Sequence, residues 1–272
     1  MIVVIVVLAI ILLYLFLIKG RTGHSGLPAL RRWYYAHRGL HGEGVPENSM
    51  AAFRAAKEHG YGIELDIHLM KDGNLAVIHD SSLKRTAGAS VRIEELTTED
   101  LDNYHLEGTD ERIPLFSDVL ALFNGEAPLI VELKTVKGNY AQLCEAACKL
   151  LDQYQGRFCI ESFDPRCCKW LRKHRKHIIR GHLTMNYLRT RSKLPWPAKF
   201  ILTNLLVNVF TRPDFIACRF EDRKILSNVL CEKFWGVQSV VWTLRTKENF
   251  ETAISEDRIP IFERKERVLY NE

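Results

Sequence analysis

Eight short strand-like segments separated by helical patterns constrain this fold more than any other feature of the chain. They are residues 33–37, 61–69, 128–134, 158–163, 177–184, 214–220, 239–245 and 258–263. Residues 61–69, YGIELDIHL, show why they read as strands. Ile63, Leu65, Ile67 and Leu69 alternate with Glu64, Asp66 and His68, and successive side chains of a strand point to opposite faces. Helical periodicity fills most of the gaps, as at 49–59 and 140–154. Strands alternating with helices predict an α/β domain with a parallel sheet, and the roughly 240 residues that follow the N-terminus suit one closed (β/α)8 barrel.

The densest chemistry lies between residues 35 and 80: His37-Arg38-Gly39, Pro46-Glu47-Asn48-Ser49, Glu64-Leu65-Asp66, Asp72-Gly73 and His79-Asp80. Glu64 and Asp66, two apart on one strand, aim the same way and offer hard oxygen ligands to a shared divalent cation. Residues 128–134, PLIVELK, put Ile130, Glu132 and Lys134 on one face, which makes Glu132 a candidate third ligand with Lys134 as a cation beside it. His37 and His79 each follow a short apolar strand, and histidine, with a free pKa near neutrality, suits a general base or acid. Singly, each piece has a bland explanation. A Glu-x-Asp pair is commonly a solvated face, Arg38-Gly39 a turn and Asp80 a helix cap. Together, in this order and each at a strand end, they point to a site that handles a phosphate with a metal.

That set resembles the glycerophosphodiester phosphodiesterase family across residues 34–243. The likeness is carried by the segments above with Ala52-Phe53 and Lys71-Asp72-Gly73, and by Ile113-Pro114-Leu115, Glu132-Leu133-Lys134, Ser162-Phe163-Asp164 and Trp242-Thr243. One departure stands out: the family closes with a strand ending in Thr-Asp near a proline, whereas residues 258–263 here read RIPIFE. The resemblance implies that residues 81–115 form a small subdomain inserted after the second strand. It implies metal-dependent hydrolysis of glycerophosphodiesters to sn-glycerol 3-phosphate and an alcohol, extending to lysophospholipids if the chain works as a lysophospholipase D. On that reading Glu64, Asp66 and Glu132 hold one divalent cation, Mg2+ or Ca2+. His37 and His79 are the acid–base pair, and Arg38 and Lys134 cradle the phosphate. Phe163 and Trp242 either wall the glycerol or acyl side or pack the barrel. The attacking group is the glycerol 2-hydroxyl or water, and the resemblance favours the first. Two rival readings are a phospholipase C of the phosphatidylinositol type and a catalytically silent, membrane-tethered lipid-binding barrel. Every chemical position is filled, which argues against the second.

Residues 1–18 form an unbroken apolar run followed by Lys19 and Arg21. At ~1.5 Å per residue the run reaches about 27 Å, close to a ~30 Å hydrocarbon core. It predicts a membrane-anchored, bacterial-type protein: transmembrane helix at 1–18, basic linker at 19–32 and barrel at 33–265. Lys19, Arg21, Arg31 and Arg32 follow the run, so the positive-inside rule puts the barrel in the cytoplasm. Two more stretches are candidate lipid contacts. Basic residues 166–180 are alternatively a solvated outer helix, and 196–210, WPAKFILTNLLVNVF, alternatively a buried barrel helix. A net charge of +5 over 272 residues lacks the concentrated basicity of a nucleic-acid binder. Seven cysteines without CxxC spacing read as reduced thiols, not a zinc site.

Overall fold

The computed structural model describes residues 1–263, so the expected barrel end at 265 lies outside the described residues. The strands are β1 (Tyr35–His37), β2 (Gly62–Leu69), β3 (Leu75–Val77), β4 (Leu129–Leu133), β5 (Phe158–Ser162), β6 (Arg180–Thr184), β7 (Phe215–Arg219), β8 (Gln238–Leu244) and β9 (Ile259–Phe262). Each of the eight expected segments overlaps one of them, and only β8 begins a residue earlier than expected, at Gln238. Those eight pair in parallel in the order β1-β9-β8-β7-β6-β5-β4-β2, and β1 pairs with β2 to close the barrel. The short β3 is extra, folding back antiparallel on β2 through the turn at Lys71-Asp72-Gly73, where Gly73 takes φ +88°.

Strand alternation divides the apolar residues into two layers. Ile63, Leu65, Ile67, Leu129 and Val131 face outward and pack with Phe53, Val119, Leu143 and Phe250 from the surrounding helices. Tyr35, Ile130, Cys159, Phe215, Val240 and Ile261 fill the barrel interior. The interior is therefore plugged with apolar side chains below and left polar above, at the C-terminal ends of the strands. Helix starts are specified locally on that polar side. Ser49 caps Met50–Glu58 by accepting from the Ala52 N–H at 3.1 Å, and the helix buries Ala52, Phe53 and Ala56 at helical spacing. Asp164 caps Pro165–His174 by accepting from the Arg166 N–H at 2.9 Å, with proline at the first helical position and Arg172, Lys173 and His174 beside the negative dipole end. Between β3 and β4, Leu83, Ile93, Leu101, Leu106 and Ile113 pack with Met70 and Ile78 in an apolar cluster of their own.

The membrane placement expected from the N-terminus does not hold. No helix among the described residues is long and apolar enough to cross a membrane. The apolar run folds as a helix, Ile2–Ile18, of 17 residues; at ~1.5 Å per residue it reaches about 25 Å against a ~30 Å core. Its last turn is also committed to the barrel. Ile18 is fully buried, and carbonyls that a helix C-terminus leaves open are taken up by barrel side chains. Asn208 Nδ2 donates to the Ile18 carbonyl at 2.9 Å, Trp235 Nε1 to Leu15 at 2.9 Å, and Arg212 Nη1 to Lys19 at 2.7 Å. The transmembrane helix, the single-pass anchor and the cytoplasmic assignment built on them are thereby withdrawn. The basic stretch splits: Arg166, Lys169, Arg172 and Lys173 are exposed on the outer helix, while Arg180 is buried and donates to the Thr211 and Arg212 carbonyls. Residues 196–210 are not a buried barrel helix. Trp196 on helix Trp196–Thr203 is 66% exposed and Phe210 61%, while Thr203, Leu205 and Asn208 turn inward.

His182 on β6 is fully buried, and burial holds its pKa down to about 4 although its Nδ1 lies in hydrogen-bond contact with Asn208 Oδ1 at 3.2 Å. The unfolded chain thus binds more protons than the native one between that value and the free histidine pKa. Stability supplied by neutral His182 is complete above about pH 6.5 and falls by about 3 kcal/mol as pH drops to 4. His182→Gln should lose this component, giving a shallower fall in urea midpoint over that window; parallel curves for the two proteins would refute it.

Candidate active site

Strand register assembles the polar end of the barrel. His37 pairs with Glu64 across β1 and β2, Asp66 with Glu132 across β2 and β4, and Glu132 with Glu161 across β4 and β5. One histidine and four carboxylates from four adjacent strands therefore enter one space. Glu64, Asp66 and Glu132 offer ligand atoms that all lie within 4.8 Å of one another, and all three residues are buried. His37 Nε2 stands 3.8 Å from Glu64 Oε2. The cavity above them, about 650 Å3, is lined by both His37 and His79, by Glu161, by Phe163 just after β5 and by Trp242 from β8. The two rings meet edge to face with centroids 5.7 Å apart, and Trp242 Nε1 donates to the Ala217 carbonyl. All nine residues expected at the site are brought to this end, with Lys134 Nζ 3.0 Å from Glu132 and 3.3 Å from Asp66.

The segment from Arg38 to Ser49 holds the carboxylates in place. Arg38 takes φ +56°, which lets its own N–H donate to Glu64 Oε2 at 3.1 Å while its side chain turns toward Asp66, Nε to Oδ2 at 3.4 Å. Glu47 fixes that guanidinium by accepting from Nη1 at 2.9 Å and also binds Arg85. Asn48, at φ +54°, donates to Asp66 Oδ2 at 2.9 Å. Each imidazole is tethered at Nδ1 by a carboxylate: His37 to Glu263 at 2.9 Å and His79 to Asp80 at 2.7 Å. Asp80 is thus no helix cap. His68 is no ligand either, since it spans Glu94 at 2.7 Å and the His79 carbonyl at 3.1 Å, tying the insertion to the site.

The charges in this space are unevenly matched. Burial, then the neighbouring Asp66, Glu132 and Glu161, pushes Glu64 well above the ordinary carboxyl range. Burial also raises Glu132 to about 7 in spite of Lys134, and burial with Glu132 and Asp66 raises Glu161 well above the ordinary carboxyl range. Burial would raise Asp66 as well, but Lys134, His79 and Arg38 outweigh it and hold that carboxyl well below its usual value. Burial lowers both His37 and His79, favouring neutral imidazole.

Residues 37–259 match the model of the glycerophosphoryl diester phosphodiesterase family. The chain belongs to that family. It is therefore an enzyme of the glycerophosphodiester phosphodiesterase kind. It is 34% identical over 165 residues to a glycerophosphodiester phosphodiesterase of Bacillus altitudinis, a match covering 57% of this chain and 67% of that one. It is 36% identical over 135 residues to a lysophospholipase D of Rattus norvegicus, covering 45% of this chain and 41% of the rat protein. The fold matches an Oleispira antarctica phosphodiesterase solved with sn-glycerol-3-phosphate, with a TM-score of 0.68, 20% identity and coverage of 85% and 92%.

A divalent cation of the sort this family uses fits the residues present. Glu64, Asp66 and Glu132 supply an all-oxygen donor set, and buried Asp66 Oδ1 accepts no hydrogen bond. Two participants escaped the sequence. Glu161, 1% exposed with Oε2 unpartnered, follows Cys159 on the inward face of β5, so alternation alone could have flagged it. Glu263 follows β9 at the point where the sequence departs from the family pattern, and no local signal tied it to His37 across 226 residues.

Asn48 has two jobs that substitutions can separate. Asn48→Ala and Asn48→Gly both remove the donor to Asp66, but only alanine must also hold a left-handed backbone, at a cost of roughly 1–2 kcal/mol. Asn48→Ala should unfold at lower urea than Asn48→Gly by that margin; equal midpoints would mean the backbone there is free to relax.

Proposed function

We propose that this family member hydrolyses glycerophosphodiesters to sn-glycerol 3-phosphate and an alcohol by acid–base catalysis between His37 and His79, with lysophospholipids as a second substrate class. The observation that carries the reading is the convergence of Glu64, Asp66 and Glu132 in a cavity lined by two carboxylate-tethered imidazoles. A divalent cation held by the three carboxylates, Mg2+ or Ca2+, would supply neutralisation of charge growing on the phosphodiester oxygens. Arg38 and Lys134, already turned toward Asp66, bind the phosphate. Their cations offset part of its charge.

The proton roles follow from placement. Glu263 accepts from His37 Nδ1–H, which leaves Nε2 as the basic atom, and burial keeps that ring neutral. His37 takes the proton of the attacking hydroxyl, from water or from the glycerol 2-position; in the second case water then opens the cyclic phosphate to sn-glycerol 3-phosphate, with the two histidines exchanging roles. His79 is the more open of the two, with 30% of its side chain exposed against 12%. It gives a proton to the alcohol that leaves toward solvent, and Asp80 and Asp66 steady its imidazolium against the burial that lowers its pKa. Phe163 and Trp242 wall the side of the cavity where the glycerol or acyl portion lies. The likeness to the rat lysophospholipase D and the apolar surface of helix Trp196–Thr203 support the lysolipid substrates.

Leaving-group dependence tests the roles. His79→Ala should lower kcat on glycerophosphocholine by about 10²–10⁴ yet cost far less on a p-nitrophenyl phosphodiester, whose phenolate needs no proton, while His37→Ala should impair both. Equal losses for His79→Ala on the two substrates would remove it as the acid.

Chelation should abolish turnover of glycerophosphocholine and lysophosphatidylcholine, with Mg2+ or Ca2+ restoring it. Activity that survives both a chelator and Glu64→Gln would eliminate the cation from the mechanism, and a cyclic phosphate accumulating as final product would favour the phospholipase C type.

A further inference from the structure

A second group of potential metal ligands stands beside the acidic one. His37, His41 and Glu263 offer ligand atoms that all lie within 4.8 Å of one another. His37 Nδ1 and Glu263 Oε1 are 2.9 Å apart, and His41 Nε2 is 3.8 Å from the same oxygen. Tetrahedral zinc with bonds of about 2.0–2.2 Å sets its donors roughly 3.3 Å apart, so these separations straddle the required value. Two further details fit an ion. His41 Nε2 is buried and has no hydrogen-bond partner. Glu263 spends Oε2 on Arg245, which leaves Oε1 for the histidines. The three side chains keep 12%, 20% and 16% of their surface, and His37 and Glu263 line the active-site cavity.

We propose that His37, His41 and Glu263 form a second, inhibitory cation site that takes Zn2+. Chemistry separates it from the acidic group. Two imidazoles and one carboxylate suit zinc, whereas three carboxylates suit Mg2+ or Ca2+. Occupancy silences His37 through its tautomer. Without zinc, Nδ1 carries the ring proton, donates it to Glu263, and leaves the Nε2 lone pair facing Glu64. Zinc takes the Nδ1 lone pair, so the single proton of the neutral ring must sit on Nε2, where no lone pair remains to accept one from a nucleophile. The loss of activity rests on His37 as the base proposed above; the binding does not.

The test uses the full chain with Mg2+ saturating. Calorimetric titration should find a single Zn2+ bound, and turnover should fall as it binds. His41→Ala and His41→Gln should retain basal turnover and raise the Zn2+ concentration for half-inhibition at least about tenfold. Glu64→Gln, which breaks the acidic group, should still bind a single Zn2+ by calorimetry, so binding is read even where turnover is absent. The proposal is overturned if both His41 variants stay as sensitive as the parent, or if excess Mg2+ relieves the inhibition, which would place zinc on Glu64, Asp66 and Glu132. Zinc that binds through His41 without slowing turnover would keep the site and refute its inhibitory effect.

Discussion

Like charge forced into one buried space governs this molecule. Parallel pairing of β1, β2, β4 and β5 leaves no freedom in where Glu64, Asp66, Glu132 and Glu161 emerge, because register fixes them side by side. Buried carboxylates facing one another cannot all ionise unless cations share the space. Arg38 and Lys134 do part of that work, and the outcome is uneven: Asp66 remains a firm anion while Glu64 and Glu161 are driven toward the neutral form. The fold thus stores a deficit of positive charge that a divalent cation can relieve. Binding follows from that deficit.

Such an arrangement survives only if its members cannot swing apart. The short loop after β1 meets that demand with two non-glycine residues in left-handed conformation, Arg38 and Asn48. One aims a backbone N–H at Glu64, the other a side-chain amide at Asp66. Glu47 restrains the Arg38 guanidinium, and Ser49 starts the next helix, so four consecutive residues from Pro46 onward connect charge placement to helix placement. Backbone strain is accepted here where it sets geometry, as it commonly is at residues that position a functional site.

The barrel was legible because its signals are local. Period-two alternation around Glu64 and Asp66 and the helix-starting Ser49 and Asp164 each declare themselves within a few residues. The same alternation placed the two carboxylates of β2 on one face. Contacts between distant segments were not legible. Glu263 reaches His37 only because the barrel closes. The apolar N-terminus misled for the same reason. Hydropathy over residues 1–18 cannot register that Asn208, Arg212 and Trp235 capture the end of that helix.

The two histidines are held by carboxylates of opposite origin, and that difference bears on how the enzyme comes together. Asp80 is the next residue after His79, so the His79 ring is oriented as soon as β3 folds back on β2. Glu263 belongs to the end of the last strand, which pairs with β1 and β8 only when the ring closes. A chain lacking β9 could assemble the acidic group and the His79–Asp80 pair, yet leave His37 without the acceptor that fixes its tautomer. The His37 ring is therefore set by closure of the barrel, whereas the His79 ring is set by a turn. Arg245 strengthens that dependence: it leaves β8 to bind Glu263, so the last two strands must both be in place before the His37 imidazole is held in a single orientation.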